Sequence, residues 1–256
     1  LVNLADAAAL AGAQDLPGDP QAAADSAYSY AARNGMASDV VRVSIDSSNT
    51  VLTVNASRIV PFFFAAIFDM TSGNVSAVAA IRPIGGVSGV VPFGVVRQNF
   101  IYGTPYILKE GGGSGYNGNF AALALGGNGS PIYQTNIKQG YQRQLKIGDW
   151  VSTETGNMSG PTSEGVEYRM ALDPNAAFET VEESSGRILI IPIIDSLEVN
   201  GRSDVLIVGF AAFFLQGVGG RGSDNYVTGQ FMQMVVPGDI STGVANYGLY
   251  TSTLIE

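Results

Sequence analysis

The sequence predicts an α+β protein: N-terminal helices packed on a small antiparallel sheet, followed by a mostly β, sandwich- or barrel-like domain. Three observations carry this. The first 37 residues hold 13 Ala and no β-branched residue except Val2, a composition that favours helices. From Val41, apolar residues recur at every second position, the period of a half-buried strand. Beyond Ile84, runs rich in Val, Ile, Phe and Tyr alternate with Gly-rich turns, the pattern of an all-β sandwich or barrel.

The elements follow in order. Leu4 to Leu16 reads as a helix ended by Pro17-Gly18, with Leu4, Ala8 and Ala11 on its apolar face and Ala7 beside them. Asp19 caps a second helix with Pro20 at its first position. Ala24, Ala27, Tyr28 and Ala31 form its stripe, and Asn34-Gly35 stops it. Val41, Val43 and Ile45 mark a strand, Ser47-Ser48-Asn49 a turn, and Val51 to Val54 the return strand of a hairpin. Pro61 to Phe68 reads as a short helix and Val75 to Arg82 as a third strand. Residues 1–84 therefore form an N-terminal α+β domain, with the boundary between Pro83 and Gly86. Residues 85–256 form a C-terminal β-rich domain, with strands at 87–96, 100–108, 119–125, 143–151, 165–170, 187–194, 204–215, 226–236 and 247–255.

Composition excludes much chemistry. The chain has no Cys and no His, which removes disulfides, thiol nucleophiles, zinc fingers, iron–sulfur clusters and Ser-His-Asp catalysis. Thirteen Lys+Arg against 22 Asp+Glu give a net charge of −9, opposite to the basic footprint that nucleic acid requires. The longest apolar run, Val205 to Leu215, is short of the ~18 residues of a membrane-spanning helix. Only 14% of residues are charged, against about 25% in ordinary soluble domains.

Each candidate motif has a plain structural reading. Gly113-Ser-Gly115-Tyr-Asn-Gly118 and Gly217-Val-Gly219-Gly-Arg-Gly222 match G-x-G-x-x-G, but neither sits between a predicted strand and helix; both read as turn glycines. Glu179, Glu182, Glu183 and the pair Asp195, Glu198 form no coherent acid–base site, and Asp224-Asn225 reads as a solvated turn. Lys109, Lys138 and Lys146, the three lysines, lie in no Ser-x-x-Lys arrangement. Trp150, the single tryptophan, reads as a core residue rather than a sugar platform. Asn55, Asn74, Asn128 and Asn157 open Asn-x-Ser tripeptides that glycans could occupy. No catalytic, cofactor-binding or metal-binding residue is assigned, and no cofactor is expected.

Residues 1–15, LVNLADAAALAGAQD, resemble the N-terminal helix of Tad pilus-assembly proteins of the TadE/TadG-like type, with the motif spanning Ala5 to Ala13 and the resemblance sharpest over the first 85 residues. The succession up to Val75-Ser-Ala-Val-Ala-Ala80 is similar to that family, as are Gly148-Asp149-Trp150-Val151 and Thr155 to Pro161. The resemblance implies a helix that begins as a membrane anchor. Because the chain starts at Leu1, the expectation is a processed subunit linked to the membrane only through a removed N-terminal segment. The functional expectation is a structural subunit of an extracellular filament or pilus-like appendage at the cell surface, polymerising with copies of itself. The alternative is a surface-exposed adhesin or minor pilus-tip binding module; an enzyme is not expected. The end segments Leu4–Leu16 and Tyr247–Ile255 are candidates for sharing between neighbouring subunits.

Overall fold

A computed structural model of the chain describes residues 1–35, 39–59, 72–110, 118–197 and 202–255. The fold is α+β, with N-terminal helices preceding a mostly β region. Two compact units are formed. One contains Leu1–Arg82, Met234–Pro237 and Tyr250–Glu256; the other contains Pro83–Gln233 and Gly238–Leu249. The chain thus returns twice to the first unit after leaving it, which a linear division at residue 84 does not anticipate.

In the first unit, helices α1 (Val2–Ala13) and α2 (Pro20–Arg33) pack on the sheet. Helix α1 buries Leu4, Ala5, Ala8, Ala9, Gly12 and Ala13, a stripe turned about one position from the expected Leu4-Ala8-Ala11 face. Gly12 explains the rotation. A Cβ there would lie 2.6 Å from the Ala23 carbonyl oxygen and 2.6 Å from a Leu52 methyl, so the helix meets α2 and the sheet through its bare backbone. Helix α2 starts as expected: the Asp19 carboxylate accepts N–H bonds from Gln21 at 3.0 Å and Ala22 at 2.9 Å. Its buried stripe is Ala23, Ala27 and Ala31, not Ala24 and Tyr28; the bulkier Tyr28 ring is turned outward.

Strands β1 (Asp39–Ile45) and β2 (Val51–Ile59) form the expected hairpin, with Val43 opposite Val54. Asp46 organises its turn. Its carboxylate accepts N–H bonds from Thr50 at 2.7 Å and Val51 at 2.8 Å, and another bond from the Ser48 hydroxyl. These bonds hold the Asp46 pKa at about 2: the Ser48 hydroxyl is the largest cause, partial desolvation opposes it, and the backbone donors add to it. Strand β3 (Ser72–Val87) outruns the expected 75–82. The expected helix at 61–68 lies outside the described residues. The sheet order is β1-β2-β3-β14-β12, where β12 is Met234–Val235 and β14 is Leu249–Ile255. Both proposed exchange segments are thus seated in their own subunit, α1 in the core and β14 inside the sheet.

The second unit has β4 (Phe93–Val96), β5 (Pro105–Glu110), β6 (Gly118–Ala122), β9 (Ile188–Ile194), β10 (Asp204–Gly219) and β11 (Tyr226–Met232). Pairing runs β11-β5-β6-β4-β9-β10, and β10 pairs again with β11, closing the ring into a barrel. Closure removes the open edges of a sheet. The long β10 pairs with β9 over Ile207–Phe214 and with β11 over Ala212–Gly219, with register shifts at Ile207/Gly209 and Leu215/Gly217. Phe93, Phe120, Phe213 and Phe231 fill the core. Short strands β7 (Leu145–Lys146) and β13 (Asp239–Ile240) pair with the end of β3, and β8 (Trp150–Ser152) flanks β10.

Two expected strands are corrected. Residues 165–170 lie in helix α4 (Ser159–Leu172), and 143–151 break into β7 and β8. Helix α3 (Ser130–Gln139) was not expected, although Pro131 in its first turn and Gly140 at its end are helix punctuation. The two helices touch where Gly165 would place a Cβ 2.6 Å from Ile137, and Tyr133 and Thr162 share a hydroxyl bond at 3.0 Å. Two arginines tie these layers together through backbone carbonyls. Arg169 donates to Ile137 at 2.6 Å and Gly186 at 3.0 Å, and desolvation lowers its pKa. Buried Arg187 donates to Leu215 at 2.9 Å and Ala176 at 3.1 Å, its guanidinium over the Phe214 ring.

Candidate functional site

The expectation of a buried tryptophan is overturned. Trp150 is 64% exposed. It opens β8, which starts immediately after a turn made by Lys146 to Asp149 with Gly148 in the left-handed region at φ +97°. Its backbone position is fixed. β8 pairs with β10 with Trp150 opposite Leu206, and the neighbouring Asp149 carbonyl accepts the Ile207 N–H at 2.9 Å. Two aspartates complete the local order: Asp149 Oδ2 accepts the Lys146 N–H at 2.8 Å, and the Ser152 hydroxyl donates to Asp204 at 2.6 Å.

Trp150 borders a groove of about 370 Å³ with Leu125, Gly126, Tyr141, Asp149 and Ser152 among its walls. Tyr141 is pinned by backbone bonds to Val90 and Gly89, both at 2.8 Å. Its ring lies so close to Gly126 that a Cβ there would be 2.6 Å away, and Gly126 has φ +74°. Glycine is therefore required at 126 both for the backbone conformation and for the ring. Among the described residues Asp149 is the one charged residue in this wall, and no Lys or Arg joins it.

Other aromatic groups are committed elsewhere. A groove of about 500 Å³ near Arg97 holds Phe100 and Tyr247. Phe100 stacks on Phe231 at 3.9 Å, and the Tyr247 ring covers Gly209. Desolvation raises the Tyr247 pKa, with Arg97 pulling the other way.

The remaining candidates are dispersed. Gly217 to Gly222 ends β10 and leads through a 3-10 turn, Gly222–Asp224, into β11. The helix of a dinucleotide fingerprint is absent there. The loop instead fastens to α4: Gly222 N–H donates to Ser159 at 3.1 Å, and Asn225 Nδ2 donates to Ser163 at 3.3 Å. Asp224 is exposed as the solvated-turn reading has it, but Asn225 is fully buried, which corrects that reading for Asn225, and its Oδ1 has no hydrogen-bond partner. The first glycine match falls mostly at 111–117, outside the described residues, as does Glu198. Glu179, Glu182 and Glu183 are exposed around the 3-10 turn Phe178–Thr180, and among the described residues no acidic cluster could hold a metal ion. Lys146 pairs with Asp239 at 3.2 Å and Lys138 lies over Tyr168.

All four Asn-x-Ser asparagines are exposed. Asn55 lies opposite Ser76, and Ser57 opposite Asn74, so these two tripeptides are reciprocal partners on the outer face of β2 and β3. Asn157 accepts the Ser159 N–H at 2.9 Å, whereas Asn128 stands in the loop before α3.

No protein-family model, curated protein or solved structure matches this chain. No helix among the described residues is long and apolar enough to cross a membrane.

Sequence reasoning missed Tyr141 and Gly126. The available signal was the Gly126-Gly127-Asn128-Gly129 run, which marks a place where the backbone makes room for a neighbour.

Proposed function

We propose that the chain is a structural subunit of an extracellular filament or pilus-like appendage at the cell surface, assembling by self-association. The observation that carries this reading is the character of the surface. Thirteen basic and 22 acidic residues are spread over 12,715 Å². Val2, Val40, Ile101, Leu172 and Ile240 stand in solvent between them. Such a surface associates through apolar and backbone contacts, with charge secondary. Among the described residues strand β1 is an edge strand of its sheet; its Val43 N–H is met by the Tyr28 hydroxyl at 3.3 Å. The resemblance of residues 1–15 to TadE/TadG-like pilus-assembly proteins supports the same reading.

Negative-stain microscopy and sedimentation of the purified chain test it. Filaments or large assemblies are expected, and they persist at about 1 M NaCl, where charge–charge attraction is screened within ~3 Å. A monodisperse monomer at high protein concentration, or assemblies dissolved by salt alone, contradicts the proposal.

A further inference from the structure

The geometry points to a second property, independent of assembly: the groove at Trp150 is a binding site for a neutral saccharide. Three features define the ligand. The first is an indole free to receive a ring. Among the described residues no aromatic ring or cation stacks on Trp150. It is nevertheless held on a paired strand, so a flat apolar surface is presented without the conformational entropy of a loop. The C–H face of a pyranose matches that surface.

The second feature is a small set of polar groups beside the ring. Asp149 uses Oδ2 for the Lys146 N–H, leaving Oδ1 to accept from sugar hydroxyls. The Ser152 hydroxyl spends its proton on Asp204 and keeps lone pairs for a donor. Tyr141, a phenol, is also among the wall residues. An apolar platform with a few placed polar groups is the general form of a small-ligand site, and hydrogen bonds to a carboxylate are the strong ones.

The third feature is charge. Among the described residues the wall carries a carboxylate and no cation, and the chain has a net charge of −9. Anionic sugars and phosphates are therefore rejected. A cationic ligand is also a poor fit. Cation–π recognition in water draws its strength from desolvation, and a ring 64% open to solvent does not supply it.

Trp150 is the single tryptophan, so intrinsic fluorescence reports this site alone. The purified chain is titrated with methyl α-mannoside, methyl α-glucoside, methyl β-galactoside and chitobiose, at a protein concentration below that of any assembly. A saturable fluorescence change with at least one of these is expected, together with saturation-transfer NMR signals from that sugar's ring protons. By calorimetry Trp150→Ala weakens binding about tenfold or more, Trp150→Phe less, and Asp149→Asn several-fold. Circular dichroism checks that each variant folds, and the saturation-transfer signals on the unmodified chain stand even where a variant does not.

The inference is overturned if no saccharide of the panel gives a saturable response. It is equally overturned if tetramethylammonium chloride saturates the site while the sugars do not, or if fluorescence follows protein concentration alone. The last result would make Trp150 a contact between copies.

Discussion

The two units build their cores from opposite materials. Among the described residues of the first core, ten of seventeen buried side chains are alanine. In the second, six of nineteen are Phe or Tyr and two are alanine. The alanine core is stable because backbones approach closely, as at Gly12, where even one carbon does not fit. The aromatic core is stable because large rings interlock, as where Phe231 meets Phe100 at 3.9 Å, Tyr106 at 4.9 Å and Phe213 at 5.0 Å. One core is intolerant of added atoms and the other of removed ones.

The sharpest way to break this contrast is to empty the barrel. Phe231→Ala is expected to cost about 3–5 kcal/mol, measured by urea unfolding and by faster hydrogen exchange in β10 and β11. A cost below about 1 kcal/mol shows that the rings do not support one another. The reverse experiment overfills the first unit. Ala27→Leu and Gly12→Ala should each cost about 1–3 kcal/mol. Gly12→Ala is the more telling, because in an exposed helix it would stabilise by about 1 kcal/mol. If it stabilises here, α1 is not in close contact with α2. Asp19→Ala removes the cap of α2 and should cost about 1 kcal/mol, read as faster exchange confined to the first turns of that helix.

The smallest effect is electrostatic. The folded-state pKa of Asp46 is depressed to about 2, so its stabilisation is complete above the unfolded value of about 3.9 and is lost as pH falls toward about 2. The turn is open to solvent, so Asp46→Asn is expected to cost under about 1 kcal/mol at neutral pH. The difference from the unsubstituted chain should vanish at about pH 2. A difference that persists there would assign the effect to geometry rather than charge.

Legibility followed the same divide. Helix α2 could be read because Asp19, Pro20 and Asn34-Gly35 act on the local backbone, and the β1–β2 hairpin because its alternation matches its burial. The stripe positions were off by about one residue because small side chains give alanine faces little contrast; the close approach at Gly12 decided the rotation. In the second unit Gly165-Val166-Glu167-Tyr168 reads as a strand by composition, yet Gly165 is there to let α4 approach Ile137. Trp150 was misplaced for a related reason. Its place after Asp149 on a likely strand suggests a sheet interior, but whether a strand lies inside or at the flank of a sheet is set by distant pairing, which local pattern does not encode. The Trp150 groove draws residues from 124 to 152 and could not be assembled from any one motif.

The seating of β14 between β3 and β12 has a consequence in time. During synthesis nearly all of the barrel unit is made before Tyr250 is added, and its ring can close on residues already present. The first unit cannot finish: α1, α2 and the hairpin wait with the flank of β3 bare until residues 250–255 emerge. For that interval the edge of β3 that faces β14 is an unpaired template, and a chain halted before Tyr250 keeps it so.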